Sequence, residues 1–193
     1  MKICVYLASS RSVDQKYFEA TKQLAKLFVA HNIEVVYGGG SVGLMGQLAD
    51  TVIDEGGKIK GIIPHFMRAL EWDHSGVKDM EYVETMHQRK AKLVTGIDGL
   101  VTMAGGSGTM EEFFETLTMK RLGQFTKPMI ILNTDGFYDP LQNLLDKMID
   151  QSFMNPIHKK MYRFVTKPEE VIPALNAAPE WSADAIDYAA VKK

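Results

Sequence analysis

The chain has 193 residues, 46% hydrophobic and 24% charged, with a net charge of −2. That length has room for one sizeable core, and the balance is that of an ordinary soluble globular protein. With no basic excess, the molecule as a whole is not drawn to nucleic acid or anionic lipid, so any bound phosphate must be held by a local arrangement. No apolar stretch approaches the ~18–20 residues that span a bilayer, and residues 3–8 are too short for a signal-peptide core. The single cysteine, Cys4, allows no intramolecular disulfide. A soluble, cytoplasmic protein is expected.

Strand-like and helix-like segments alternate almost from the first residue. Residues 2–8 read as a buried strand. Ser12 with Gln15 three residues on has the form of a capping box, and Tyr17, Ala20, Leu24, Leu27 and Phe28 share one face of the helix that follows. Residues 33–37 are a second strand, and residues 38–40 turn the chain. Leu44, Met45, Leu48, Ala49 and Val52 mark a second amphipathic helix, stopped by Gly56 and Gly57. Residues 59–63 form a third strand, ended by Pro64. Residues 65–78 have no clear period and are expected to be a long loop with some helix. A short strand is expected over residues 81–84, a helix over 86–95, and a buried strand over 99–103 that runs straight into 104–109. Met110, Phe113, Phe114 and Leu117 give the next helix its apolar face, with Gly123 as its stop. A strand over 128–132, a helix over 141–149, a strand over 163–166 and a helix over 168–175 complete the pattern. Residues 1–175 thus form the domain, and 176–193 a tail or short helix.

Such alternation implies an α/β fold, a doubly wound parallel sheet with helices on both faces. Near-continuous apolar strands agree, because such sheets are buried on both sides. Sites in these folds sit at the carboxyl ends of strands, beside the point where the strand order reverses. Two glycine-rich loops fall at strand carboxyl ends.

The first, Gly38-Gly39-Gly40-Ser41-Val42-Gly43, satisfies GxGxxG and is followed by Gly46. Glycines let the backbone approach an anion, and the helix behind offers free N–H groups; glycine also serves simply to make tight turns. The dinucleotide version of this motif fits poorly. The glycines follow the second strand rather than the first, and the next strand ends Ile62-Ile63-Pro64-His65 with no carboxylate for a ribose. No GxxxxGK[ST] occurs either. The second loop, Gly105-Gly106-Ser107-Gly108-Thr109, is followed by Met110, Glu111 and Glu112. Thr109 as N-cap with Glu112 three residues on would make a capping box, yet capping does not explain a glycine cluster next to an acidic pair. A phosphate beside a catalytic carboxylate does. Between the loops, Met86-His87-Gln88-Arg89-Lys90 sets two cations on a helix. His87 reads as a structural hydrogen-bonding residue, and no HExxH or paired cysteines suggest a metal.

YGGGSVGLMG, METMHQRKAKL and GGSGTMEE together, in this order and approximate spacing, resemble the blocks of the LONELY GUY family. These are the cytokinin-activating phosphoribohydrolases, whose bacterial relatives were once labelled possible lysine decarboxylases. The resemblance runs from Lys2 to about Leu175. It implies a Rossmann-like homodimer that, without a cofactor, hydrolyses the N-glycosidic bond of an N6-substituted adenosine 5′-monophosphate to free base and ribose 5-phosphate. Arg89 and Glu112 fall on the family's catalytic arginine and glutamate. Met86, Lys90, Gly105, Gly106, Ser107, Gly108, Thr109, Glu111 and Thr118 fall on its nucleotide-contacting segments. Glu71 matches an acidic ligand contact, and Ser9 and Ser10 look like the family's serine-containing loop. Two positions depart from the pattern: Ala104 replaces the usual proline and Ser107 the usual tyrosine, which bears on substrate preference more than on reaction type.

The implied chemistry is coherent. Breaking a ribosyl C–N bond builds positive charge on the sugar, which a carboxylate such as Glu112 can stabilise while it handles the attacking water. Arg89 can bind phosphate or a sugar oxygen, or orient Glu112. The rival reading from another class is a non-catalytic carrier of a nucleotide or of a phosphorylated cofactor of the molybdopterin type. Lysine decarboxylation would need a lysine holding pyridoxal phosphate, and nothing singles one out.

Overall fold

The computed structural model describes residues 1–71 and 73–189, the side chains of Ala69 and Glu71 excepted. Seven short strands, β1 (Lys2–Tyr6), β2 (Glu34–Tyr37), β3 (Ile59–Pro64), β4 (Asp79–Val83), β5 (Gly99–Thr102), β6 (Met129–Leu132) and β7 (Arg163–Val165), pair in parallel in the order β4-β3-β2-β1-β5-β6-β7. Because side chains alternate across a strand, β1 sends Ile3 and Val5 into one core, and Cys4 and Tyr6 into the other. Helices α1 (Gln15–Ala30), α2 (Gly43–Asp54) and α7 (Val171–Asn176) cover the first face. The second lies under α4 (Met86–Leu93), α5 (Ser107–Arg121) and α6 (Asp139–Asp150). The sheet is the Rossmann-like, doubly wound arrangement that the sequence implies.

Strand order reverses between β1 and β5, so the chains leaving these two neighbours part to opposite sides and leave a crevice. The loops after β1 and β5 border it, and the first glycine loop, after β2, stands one strand away.

Several local expectations are corrected. Asp14, not Ser12, caps α1: its side chain accepts from the Lys16 N–H at 3.0 Å and the helix starts at Gln15. At α5 the N-cap is Gly106 and the helix starts at Ser107, so Thr109 already sits in the first turn and the Thr109–Glu112 capping box does not form. The helix expected somewhere within the loop over 65–78 is α3 (His65–Glu71), whose bounds the sequence did not give. Its Phe66 and Leu70 are 57% and 75% exposed, so the inward period that reveals a helix is missing. Strand β4 begins at Asp79, two residues earlier than expected. It is an edge strand whose Glu81 pairs with Lys60 of β3 at 2.7 Å, and it therefore lacks a continuous apolar run.

Beyond α7 the chain crosses the carboxyl end of α5. The Trp181 indole N–H donates to the Lys120 carbonyl at 2.8 Å. Gly123 has φ +73°, and a Cβ there would stand 2.1 Å from the Ala183 carbonyl oxygen. Lys120 is buried, with its ammonium bonded to the Lys127 carbonyl and 5.8 Å from the rings of Phe125 and Trp181. Burial pulls its pKa down to about 8. The unfolded lysine, at the ordinary value of 10.5, binds the proton more strongly. This residue's contribution to stability therefore rises as pH climbs from about 8 to 10.5. Lys120→Met removes the titration. The difference in Tm between parent and variant is expected to move in the parent's favour between pH 7 and 10 in calorimetric scans. A difference independent of pH would refute the assignment.

Candidate active site

The crevice beside the reversal of strand order is a cleft of about 330 Å³. Leu7, Ala8, Ser9 and Ser10 form its β1 side, and Gly106, Ser107, Gly108 and Thr109 its β5 side. Met45, Met67 and Met86 supply thioether walls, while Arg89, Glu111 and Glu112 bring charge.

Arg89 and Glu112 are both buried, 4% and 7% exposed. One guanidinium nitrogen, Nη1, donates to Glu112 Oε1 at 3.0 Å, Nε donates to the Ile62 carbonyl at 3.2 Å, and Nη2 to the Gly38 carbonyl at 3.2 Å. A charge so deeply buried persists only when it is paired and its hydrogen-bonding groups are met. Here the carboxyl ends of β2 and β3 supply two acceptors and α5 the countercharge. In this geometry Arg89 fixes the position of the Glu112 carboxylate.

This pair explains the first glycine loop. A Cβ on Gly38 would stand 2.1 Å from Arg89 Nη2, so only glycine lets the guanidinium reach its carbonyl. Gly43, at φ +63°, packs its α-carbon against Ser9 and Ser10, where a Cβ would meet the Ser10 carbonyl oxygen at 2.3 Å. Gly46 packs on the Ser41 carbonyl in the same manner. Gly39 lies against Ile63 and Met80, and Gly40 bridges to Asp73. None of Gly39, Gly40, Gly43 and Gly46 lines the cleft. They shape its wall.

The second loop behaves differently. Gly105 is crowded by the Thr109 side chain, but a Cβ on Gly106 or Gly108 would meet nothing within 4 Å. Neither has a positive φ. Packing and backbone conformation therefore give no reason for glycine at these two positions. The N-cap Gly106 has no side chain to cap α5, and the first N–H groups of a helix suit an anion.

Lys90 does not line the cleft. Its ammonium pairs with Glu111 at 2.5 Å and Glu115 at 2.9 Å, and these carboxylates, Glu111 first, hold its pKa above the usual lysine value. Thr118 lies away from the cleft, in an apolar groove of about 520 Å³ between α5 and α6. Glu71 closes α3, and its side chain lies outside the described residues. Leu7, Ala8, Met45 and Met67 line the cleft without having been singled out, since apolar residues in a strand or helix read simply as core. Among the described residues no cluster of three or more histidine, cysteine or acidic side chains stands ready for a metal ion.

The sequence profile of the family described as "Possible lysine decarboxylase" matches residues 45–175. A cytokinin riboside 5′-monophosphate phosphoribohydrolase of Arabidopsis thaliana is 41% identical over 160 residues, 83% of this chain and 75% of that protein. The chain belongs to the LONELY GUY family. A second Arabidopsis thaliana member of that name is 36% identical over 90% of this chain and 81% of its own length. Among solved structures, the molybdenum cofactor binding protein of Rippkaea orientalis superposes with a TM-score of 0.69 at 19% identity, over 91% of this chain and 95% of that one. At such identity the likeness is one of fold.

If Gly106 and Gly108 are kept open for a ligand, removing a glycine there should separate stability from binding. Gly108→Ala, within the first turn of α5, is expected to leave the fold intact or stabilise it by about 0.5–1 kcal/mol. It should weaken binding of adenosine 5′-monophosphate at least tenfold, read by thermal unfolding and titration calorimetry. Unchanged affinity would exclude close approach of the ligand to this turn.

Proposed function

We propose that this protein hydrolyses the N-glycosidic bond of a nucleoside 5′-monophosphate, giving free base and ribose 5-phosphate. The observation that carries the reading is the buried Arg89–Glu112 pair, set in the wall of a cleft that also receives the open amino end of α5. The names of the family's plant members support the same reaction, on cytokinin riboside monophosphates.

The 5′-phosphate is taken by the N–H groups around Gly106, Ser107 and Gly108, and the ribose lies toward Ser9 and Ser10. Phosphate binding anchors the sugar at a distance from the reacting bond. As the bond from C1′ to the base breaks, its electron pair leaves with the base and positive charge gathers on the ribose, facing the Glu112 carboxylate. Water attacks C1′ and passes a proton to Glu112, the departed base takes up a proton from solvent, and Glu112 returns its own to solvent, so that one water is added across the C1′–N bond. Arg89 keeps that carboxylate ionised and aimed. Lys90, behind the cleft wall, holds Glu111 at its edge. The thioethers of Met45, Met67 and Met86 favour a base with an apolar N6 substituent. Every described residue in this scheme lies within residues 1–175, and the reaction draws on no metal or cofactor. Its substrate is a small nucleotide in the cytoplasm, and nucleic acid is not a partner.

The second copy of a homodimer would occupy the groove between α5 and α6. Leu144 and Phe153 there are 46% and 73% exposed. Thr118 and Arg121 of α5 line the same groove. On this arrangement Thr118 looks toward the partner. Phe153→Glu is expected to shift the protein from dimer to monomer in sedimentation, and a parent chain that sediments as a monomer would refute the assembly.

The reaction is tested by chromatography of free base released from AMP, isopentenyl-AMP, GMP, CMP and adenosine. Release from the adenine monophosphates and little from adenosine is expected. Glu112→Gln, which retains an acceptor for Arg89, should cut turnover by at least about 100-fold with the fold unchanged. Full turnover in that variant would overturn the assignment, and ligand recovered intact from the parent protein would favour a carrier.

A further inference from the structure

The turn that delivers α5 to the cleft, residues 103–106, is held on two sides. Toward β1 the bonds are main-chain: the Met103 N–H donates to the Tyr6 carbonyl at 2.8 Å and the Ala8 N–H to the Ala104 carbonyl at 3.3 Å. Toward β6 the contact is a side chain. Tyr138 is 3% exposed, and its hydroxyl donates to the Met103 carbonyl at 2.8 Å. One buried hydroxyl thus holds the Met103 carbonyl, three residues before the Gly106 cap.

The phenol is itself fixed. The Tyr138 N–H donates to Asn133 Oδ1 at 2.6 Å, and the Asn133 side-chain amide donates to Asp139 Oδ1 at 2.7 Å. Phe137 stands edge-on to the Tyr138 ring, 4.8 Å between centroids. A phenylalanine would fill the same volume. The hydroxyl, by contrast, has only the turn to serve, and burying a hydroxyl is costly unless it is bonded.

We infer that Tyr138 is a positioning residue: its hydroxyl sets the direction of the turn before α5, and with it the aim of the N–H groups that take the 5′-phosphate. The inference rests on the phosphoribohydrolase reading of the cleft. It places the effect on phosphate affinity and not on the chemistry at C1′, where Glu112 acts. A loosened turn lowers ground-state and transition-state binding alike, which raises KM and spares kcat.

The test compares the parent, Tyr138→Phe and Tyr162→Phe. Tyr162 is the control, a buried hydroxyl with no hydrogen-bond partner among the described residues and no place in the cleft. Tyr138→Phe is expected to raise KM for AMP and the Kd of ribose 5-phosphate about tenfold, with kcat within twofold and adenine inhibition unchanged. Hydrogen exchange of the amides of residues 105–109 should speed up at least fivefold, while Tyr162→Phe matches the parent throughout. Unchanged KM and exchange in Tyr138→Phe, or a fall in kcat alone, would overturn the inference. A parent protein that releases no base would instead sink the proposed reaction. Ribose 5-phosphate affinity and amide exchange, which need no turnover, would then decide the role of Tyr138 by the same thresholds.

Discussion

A guanidinium buried beneath a cleft has to find acceptors for its N–H groups, and Arg89 finds them on three separate parts of the chain: the Gly38 carbonyl at the end of β2, the Ile62 carbonyl in β3, and the Glu112 carboxylate on α5. Removing any one would leave a buried polar group unmatched, at a cost of about 1–3 kcal/mol or more. The arginine therefore ties the carboxyl ends of two strands to the helix across the sheet's point of reversal. It also explains why Gly38 cannot carry a side chain. Burying a carboxylate in so dry a wall is costly unless a countercharge stands beside it, and Arg89 supplies that charge to Glu112.

The two glycine-rich loops, alike in composition, divide the work around this pair. The glycines of the first are consumed by packing: against Arg89, against the serine loop after β1, and against Ser41. Those at the start of α5 are partly unspent, with Gly106 and Gly108 opening into the cleft. Topology sets this division. The loop after β5 borders the crevice at the reversal point, and the loop after β2 stands one strand outside it. Beneath the crevice, burial and then the charge of Glu112 push the Cys4 thiol pKa well up, so the one cysteine stays protonated and inert.

Size does not mark the cleft. The groove between α5 and α6, at about 520 Å³, is larger and more apolar than the cleft at about 330 Å³. What separates them is the convergence of an ion pair, free N–H groups and hydroxyls in the smaller one. An apolar groove with exposed Leu144 and Phe153 on its rim has the character of a surface that packs against protein.

The alternation of β-branched strands and amphipathic helices determined the parallel, doubly wound sheet, and the blocks around Gly38, Arg89 and Gly105 determined the family. These signals are local: a period of two or 3.6 residues, or a short run of residue types, survives in the linear chain. The bounds of helix α3 escaped because its large apolar residues Phe66 and Leu70 face outward and leave no period to read. The cap of α5 was misplaced because Thr109 and Glu112 have the spacing of a capping box, while the start of the helix is set by the turn that Tyr138 holds from across β6. Only the tertiary structure decided which glycines are taken up by packing and which groups Arg89 binds. Its three partners lie 51, 27 and 23 residues away in sequence, and a hydrogen bond between such distant groups exists only once the sheet has brought the strand ends together.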